Sequence, residues 1–177
     1  MAAGKNIRKT CGLGNAAGIS NVLWFTKKNE VTAITAASSG VISGASAFTM
    51  ASSPTAGSFN AMDLSPINSK KTLEVAPVGD ADSPGWTVTL TGFHPKLEGA
   101  KSEILTSLAG CEYIVVFQDK NKKRWLIGDI VDGAYITVKP MINDGSNGYE
   151  VTVTLEVSNH LPYEVAENVS LTVAADV

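Results

Sequence analysis

Few residues in this 177-residue chain have the types and spacing that catalysis requires. The histidines, His94 and His160, lie beside turn residues, whereas a general base also needs a nucleophile and an orienting group within reach. Cys111 opens an apolar stretch, where an inert buried thiol is the usual case. With Cys11 so far from it in sequence, the pair matches neither a disulfide framework nor a zinc-ligand spacing. We therefore expect no catalytic residues and a protein that is not an enzyme.

Glycines and acidic residues give no firmer sign of a ligand. Gly12, Gly14 and Gly18 resemble a dinucleotide-binding loop, but the last spacing is one residue too long and no apolar strand precedes them. Two close acidic pairs lack the calcium-loop pattern: Asp80 with Asp82, and Asp129 with Asp132. The loop at 144–148 could surround a cation, although Asp-Gly and Asn-Gly are also ordinary hairpin chemistry. The sequence thus predicts no metal and no cofactor.

Charge and composition exclude some classes of partner. The chain has a net charge of -3, and only 18% of its residues are charged, against about 25% in an average soluble domain. A nucleic-acid-binding protein normally carries a basic stripe, and here the one dense basic group, 120–124, has the composition of a hairpin tip. The low charge and the 16 glycines favour a surface that contacts other protein.

The chain also lacks the sequence marks of secretion and of membrane insertion. Residues 1–10 are basic without an apolar run behind them, and no stretch reaches the roughly 18 apolar residues of a membrane helix. We expect synthesis in a cytoplasm and no membrane partner.

Hydrophobic periodicity predicts a mainly β domain. From Tyr149 to Val157 apolar residues alternate strictly with Thr and Glu, as in a half-buried antiparallel strand. Residues 113–117 are apolar on both faces and predict a central strand covered twice, with 118–123 as the turn to its hairpin partner, 124–127. Further strands are predicted at 22–26, 31–35, 86–91, 134–138 and 169–173.

One amphipathic helix is predicted at about 95–109. Pro95 suits a first helical position, and Gly110 suits a left-handed terminator. The apolar stripe comprises Leu97, Ala100, Ile104, Leu105 and Leu108. The expected fold is an antiparallel β-sandwich or barrel with this helix on its flank, as a single domain over 1–177.

Residues 36–69 differ from the rest because they are mostly Ala, Ser, Gly and Thr. One interpretation is a flexible linker or loop. The other is an extended loop or arm that becomes ordered on a neighbouring subunit and buries its apolar side chains there. The candidate subunit-interface residues are Phe48, Met50, Phe59 and Met62.

The stretch from Gly85 to Asp129 resembles the core of bacteriophage tail-tube and related ring or tube proteins. Its order is strand, amphipathic helix, apolar strand, polar tip, and a strand with Trp125. The run 111–128, CEYIVVFQDKNKKRWLIG, is similar to segments of structural proteins from phages of gut Bacteroidetes. The resemblance covers roughly half of the chain.

The resemblance implies a virion subunit, made in the host bacterial cytoplasm, that forms hexameric rings. Stacked rings joined edge to edge would form a tube, with other virion proteins as partners and DNA as non-specific cargo. Segment 36–69 would correspond to the loop that reaches the next ring. Two alternatives stay open: a capsid-decorating or fibre-associated virion protein, and a carbohydrate- or surface-binding module that uses Trp24, Trp86 or Trp125.

Overall fold

The computed structural model describes residues 18–35, 37–44, 46–51, 59–67, 70–80, 85–143 and 146–171. Within these ranges the protein is mainly β, with one α-helix, as the sequence predicted. The strands are β1 (Ile19–Lys27), β2 (Val31–Ile34), β3 (Val41–Ile42), β4 (Phe48–Met50), β5 (Asn60–Asp63), β6 (Thr72–Val78), β7 (Gly85–Pro95), β8 (Glu112–Asp119), β9 (Arg124–Ile127), β10 (Ala134–Asn143), β11 (Ser146–Ser158) and β12 (Tyr163–Val165). The helix α1 spans Gly99–Thr106, and a short 3-10 turn spans Lys28–Glu30.

Ten of these strands form one large mixed sheet that is not closed, and β2 pairs with β4 in a separate ribbon. Strand β8 is the junction of the large sheet. One edge of β8 pairs with β1. The other edge pairs with β9 over most of its length and with β10 through Glu112 and Tyr113 alone. The sheet therefore has a six-strand section, β5-β1-β8-β9-β12-β3, and a four-strand section, β10-β11-β7-β6.

Strand β8 is apolar on both faces because each face meets a different core. Tyr113, Val115 and Phe117 belong to a first core that also contains side chains from β1, β7, β10 and β11. Ile114 and Val116 belong to a second core with residues of β2, β3, β9 and β12. The prediction of a central strand covered twice, with a hairpin to β9, is confirmed.

The alternating strand from Tyr149 is also confirmed, with a correction at its end. Val151 and Val153 are fully buried, but Val157 is 55% exposed. The register with β7 shifts between Leu155 and Ser158, and this irregularity places Ser158 in the interior in place of Val157.

The helix is shorter than the predicted 95–109 and starts later. Pro95 is the last residue of β7, paired with Gly148, and Lys96 then adopts a left-handed φ of 71° that separates strand from helix. Leu105 and Leu108 are buried, whereas Ile104, predicted on the same stripe, is 64% exposed. Gly110, with φ 79°, has the predicted left-handed conformation after the helix.

The described parts of 36–69 lie on the body of the same chain. They supply β3, β4 and β5, and the second core takes Phe59 from this segment. Near the C-terminus, the predicted strand at 169–173 is wrong over its described part, because 169–171 lie outside any strand and 172–173 lie outside the described residues. The strand of that region is β12, which ends a few residues earlier.

Candidate functional site

The described contacts of His94 and His160 do not place either residue as the general base of a nucleophilic site. The Nδ1 of His94 lies 2.6 Å from the backbone oxygen of Asp63. His160 stacks on Tyr163 with 3.9 Å between ring centroids, and its Nε2 lies 3.6 Å from Oδ2 of Asp129. Of the two cysteines, Cys111 is half-buried and is not in a disulfide with any described residue, and Cys11 lies outside the described residues.

The acidic residues singled out in the sequence shape turns. Oδ1 of Asp129 accepts hydrogen bonds from the backbone N–H groups of Val131 and Asp132, at 2.6 and 2.7 Å. Asp82 and the first two residues of the 144–148 loop lie outside the described residues. Among the residues that are described, no group of three or more His, Cys, Asp or Glu could hold a metal ion.

The basic group at 120–124 is a hairpin tip, as predicted. Oδ1 of Asp119 accepts from the N–H groups of Asn121 and Lys123, and Lys122 takes a left-handed φ of 65°. Lys123 pairs with Glu164, and the guanidinium of Arg124 lies 5.5 Å from the ring of Trp24. These contacts hold two of the four cations against this chain.

The four candidate interface residues fall into two pairs. Phe59 and Met62 are buried, each in a core of its own chain, so the cover expected from a neighbouring subunit is already present. Phe48 and Met50 lie on β4, half-buried, and pack against the second core; the rings of Phe48 and Phe59 meet edge to face at 5.3 Å. A role of Phe48 and Met50 in subunit contact stays a prediction.

The three tryptophans predicted as alternative stacking platforms are all half-buried. Trp24 packs against the second core and Trp125 against the first. Trp125 also donates its Nε1–H to Asp119 Oδ2 at 3.2 Å, and Trp86 lies opposite Pro77 in the ladder between β7 and β6. Such rings are engaged in the fold and offer limited area to a sugar.

The four-strand section has a free edge on each side within the described part of the chain. Strand β6 pairs with β7 and with no other described strand. Strand β10 has ten residues, of which two pair with β8, so eight, from Ile136 onward, have β11 as their one partner among the strands that the structure describes. Unpaired strand edges expose N–H and C=O groups that can bind another strand. Sequence reasoning missed β6, although the alternation of Thr72, Leu73, Glu74 and Val75 carried the signal.

The face of this section that points away from the core is rich in threonine. Adjacent strands align four of them in one row: Thr137, Thr152, Thr91 and Thr72. A second row contains Tyr135, Thr154, Thr89 and Glu74. The first of these rows is uncharged and the second carries the carboxylate of Glu74, while the pair Lys139 and Glu150 adds one charge of each sign.

A cavity of about 600 Å³ lies between α1 and strands β1 and β5. Its apolar wall includes Phe25, Met62, Leu105 and Leu108, and its polar wall includes Lys27, Glu30, Asp63, His94, Lys101 and Tyr113. No part of the sequence argument pointed to this cavity, since its residues come from four separate segments of the chain.

Tyr113 is the unusual member of the cavity wall. The residue is 1% exposed, and its hydroxyl has no hydrogen-bond partner among the described residues. Burial raises the pKa of this phenol to about 12, with smaller contributions from the Cys111 thiol, which lies close to the hydroxyl although outside normal hydrogen-bond geometry, and from the charge of Glu30. The hydroxyl is therefore a neutral, protonated donor at physiological pH.

In the described part of the chain, no helix is long and apolar enough to cross a membrane. A scan against protein-family models, a search of curated proteins and a search of solved structures each gave no match.

Proposed function

We propose that this protein is a non-enzymatic structural subunit that assembles with copies of itself into rings. The observation that carries the proposal is a pair of edges on the four-strand section that no described strand covers, β6 on one side and β10 on the other. Contact between two different edges is head-to-tail, and a head-to-tail contact closes into a ring when the rotation between copies permits it.

The strand directions favour this joining. Each of β6, β7, β11 and β10 runs antiparallel to the next, so β10 runs opposite to β6. When β10 of one copy lies beside β6 of the next, the new pair is antiparallel too, and the sheet continues around the ring without a change of pattern. The lengths also agree, with seven residues in β6 and eight on the free part of β10.

Each edge carries a proline, Pro77 in β6 and Pro140 in β10. Proline occurs at sheet edges with its missing N–H toward solvent, and it blocks one outward hydrogen bond. The two prolines thereby limit uncontrolled pairing. They also confine a second copy to registers that need no backbone N–H at positions 77 and 140.

The subunit itself fits a sandwich in which the two sections are the layers. Contacts bridge them on the side away from the β8 junction. The N–H of Leu64 donates to Asn21 in β1, and the next N–H, of Ser65, donates to Phe93 in β7, both at 2.6 Å. Lys71 adds a third bridge, with Nζ 2.9 Å from Oδ1 of Asn21. A first core with side chains from both sections supports the same arrangement.

Within this class, we propose that the protein forms a hexameric ring of the virion, as part of a phage tail tube or of a related tail or connector ring. The support is the sequence resemblance, the flanking α1 and the four-strand section with its threonine-rich rows, in which the one charged side chain is the acidic Glu74. A lumen lined by hydroxyl groups without a basic stripe lets DNA pass without binding it tightly. Contacts with other virion proteins are part of this proposal.

The test is the mass of the purified chain by light scattering over a concentration series, with negative-stain images of the same samples. We expect rings or tubes whose mass is a multiple of the 18.5 kDa subunit, six for a single ring. A monomer at every concentration would contradict self-assembly. Binding to capsid shells by such a monomer would then support the capsid-decorating alternative.

A further inference from the structure

The prolines of β6 and β10 indicate which backbone groups can reach a second copy. Given the assembly proposed above, on which this inference rests, β10 of one copy lies beside β6 of the next. Proline lacks an N–H and occurs at a sheet edge where that N–H would face solvent, and residues two positions away share its direction. The residues that point outward are therefore Leu73, Val75 and Pro77 on β6, and Ile136, Val138, Pro140 and Ile142 on β10.

One register joins outward residues to outward residues without using either proline. In an antiparallel pair, two residues that point at each other exchange two backbone hydrogen bonds. The register in question sets Leu73 of one copy opposite Val138 of the next, and Val75 opposite Ile136. A shift of two residues in either direction leaves one such pair free of proline, so this register makes the most backbone hydrogen bonds.

The same register removes both prolines from the joint. Pro77 falls opposite Ala134, which already pairs with Tyr113 of β8 in its own copy. Pro140 falls opposite Lys71, which precedes the first residue of β6. The missing N–H groups are thus not needed, whereas registers that move β6 toward the far end of β10 place a proline where a donor is required.

Side chains on the core face suit this register. Val75 and Val138 pack against the first core of their own chain, and Ile136 is buried. Leu73 is 39% exposed on the uncovered edge. Beside Val138 of the next copy, its side chain would be covered by another apolar side chain, and removing apolar surface from water stabilises the contact.

The threonine-rich face is compatible with it as well. Glu74 of one copy lies directly opposite Thr137 of the next, and Thr72 lies opposite Lys139. Glu74 and Lys139 are then diagonal neighbours of opposite charge, a separation that long side chains can span. Within the described part of its own chain, neither of these two forms an ion pair.

We propose that copies of this chain join in this single register, in which Leu73 and Val75 of β6 are hydrogen-bonded to Val138 and Ile136 of β10. Pro77 and Pro140 act as the selecting residues, because every other register with comparable overlap requires an N–H from one of them. The partner of each edge is therefore the other edge of an identical chain, held at a fixed alignment.

Disulfide cross-linking measures the register directly. Glu74→Cys with Thr137→Cys places two thiols on residues that face each other across the joint, about 5 Å apart. Within one copy these positions are three strand spacings apart, about 14 Å, so a disulfide between them has to join two copies. The control pairs combine Glu74→Cys with Lys139→Cys or with Met141→Cys, which match registers shifted by two and by four residues. All variants also carry Cys11→Ser and Cys111→Ser.

The assembled full-length variants are mildly oxidised and separated on denaturing gels without reductant. We expect a ladder of covalent multimers from Glu74→Cys/Thr137→Cys, at least about 10-fold stronger than from either control pair, whose Cα atoms lie at or beyond the roughly 7 Å limit of a disulfide. A stronger ladder from a control pair would overturn the register and leave ring assembly standing. Rings without any ladder would overturn joining at these two edges, and the absence of both rings and ladders would contradict the assembly itself.

A further variant tests the role of the prolines. Pro77→Ala with Pro140→Ala restores both N–H groups, so registers shifted by two residues gain hydrogen bonds that the natural chain cannot make. Added to the cysteine pairs, this change should strengthen the ladder of Glu74→Cys/Lys139→Cys relative to that of Glu74→Cys/Thr137→Cys. An unchanged ratio of the two ladders would refute the selecting role of Pro77 and Pro140.

Discussion

Tyr113 shows how one residue can be favourable for packing and unfavourable for polarity. Its ring belongs to the first core and contacts Phe25, whereas its hydroxyl is buried without a partner among the described residues. A buried hydroxyl left without a hydrogen bond costs about 1–3 kcal/mol of stability. The sequence identified 113–117 as a buried strand. It could not show which groups would surround the Tyr113 hydroxyl, because they come from segments remote in the chain.

The first prediction concerns the alkaline stability of the protein. Below pH 10 the Tyr113 phenol is protonated in both the folded and the unfolded chain. Above the ordinary pKa of 10.0 the unfolded chain releases this proton, while the folded chain, with a pKa of about 12, keeps it. The free energy of unfolding should therefore fall between pH 10 and 12, by up to about 3 kcal/mol from this group.

Urea unfolding of Tyr113→Phe across the same pH range checks this expectation. The variant should show a flatter alkaline profile and equal or higher stability at pH 7, since the unpartnered hydroxyl is gone. Tyr135→Phe removes a phenol that is 41% exposed and serves as the control. Parallel profiles for Tyr113→Phe and the unchanged protein would disprove the role of Tyr113.

Strand β6 has one edge that no described strand covers, so alternate residues along it can pair with different partners. If Pro77 has its N–H position toward solvent, alternate residues share that direction, so Leu73 and Val75 also present their N–H and C=O groups outward. Glu74 then points its backbone groups toward β7, opposite Thr89. Neighbouring positions on one strand thus serve different partners.

A pair of proline variants separates assembly from folding. Leu73→Pro removes an outward donor, so ring formation should be lost while the monomer unfolds at nearly the same temperature. Glu74→Pro removes a bond to β7 and should lower the free energy of unfolding by at least about 2 kcal/mol. Light scattering and thermal melts measure the two effects. Intact rings in Leu73→Pro would show that β6 is not the joining edge.

The strands were more predictable than the helix boundary, and for a physical reason. Period-two alternation is local, so β8, β9 and most of β11 could be located from sequence. The start of α1 depends on Pro95 pairing with Gly148, a contact between distant segments, and on the left-handed turn at Lys96. The irregularity that exposes Val157 is likewise set by the partner strand.

At the scale of the whole molecule, the division of the sheet at β8 could not be derived from the sequence. The resemblance and the periodicity indicated a mainly β chain with one helix, but strand order depends on contacts such as β12 beside β9 and β3. The cavity arises at this scale as well, because α1 covers the end of the first core while β5 lies beside β1.

The last prediction follows from mass action on the whole assembly. If folded subunits join into rings and unfolded chains do not, assembly stabilises the folded state, and the melting temperature should rise with protein concentration. The joining contacts proposed here are backbone hydrogen bonds, so this dependence should persist in high salt, which screens exposed charges. Leu73→Pro should melt at one temperature at all concentrations. A concentration dependence that vanishes in salt would point instead to charged groups as the contact and would contradict joining through β6 and β10.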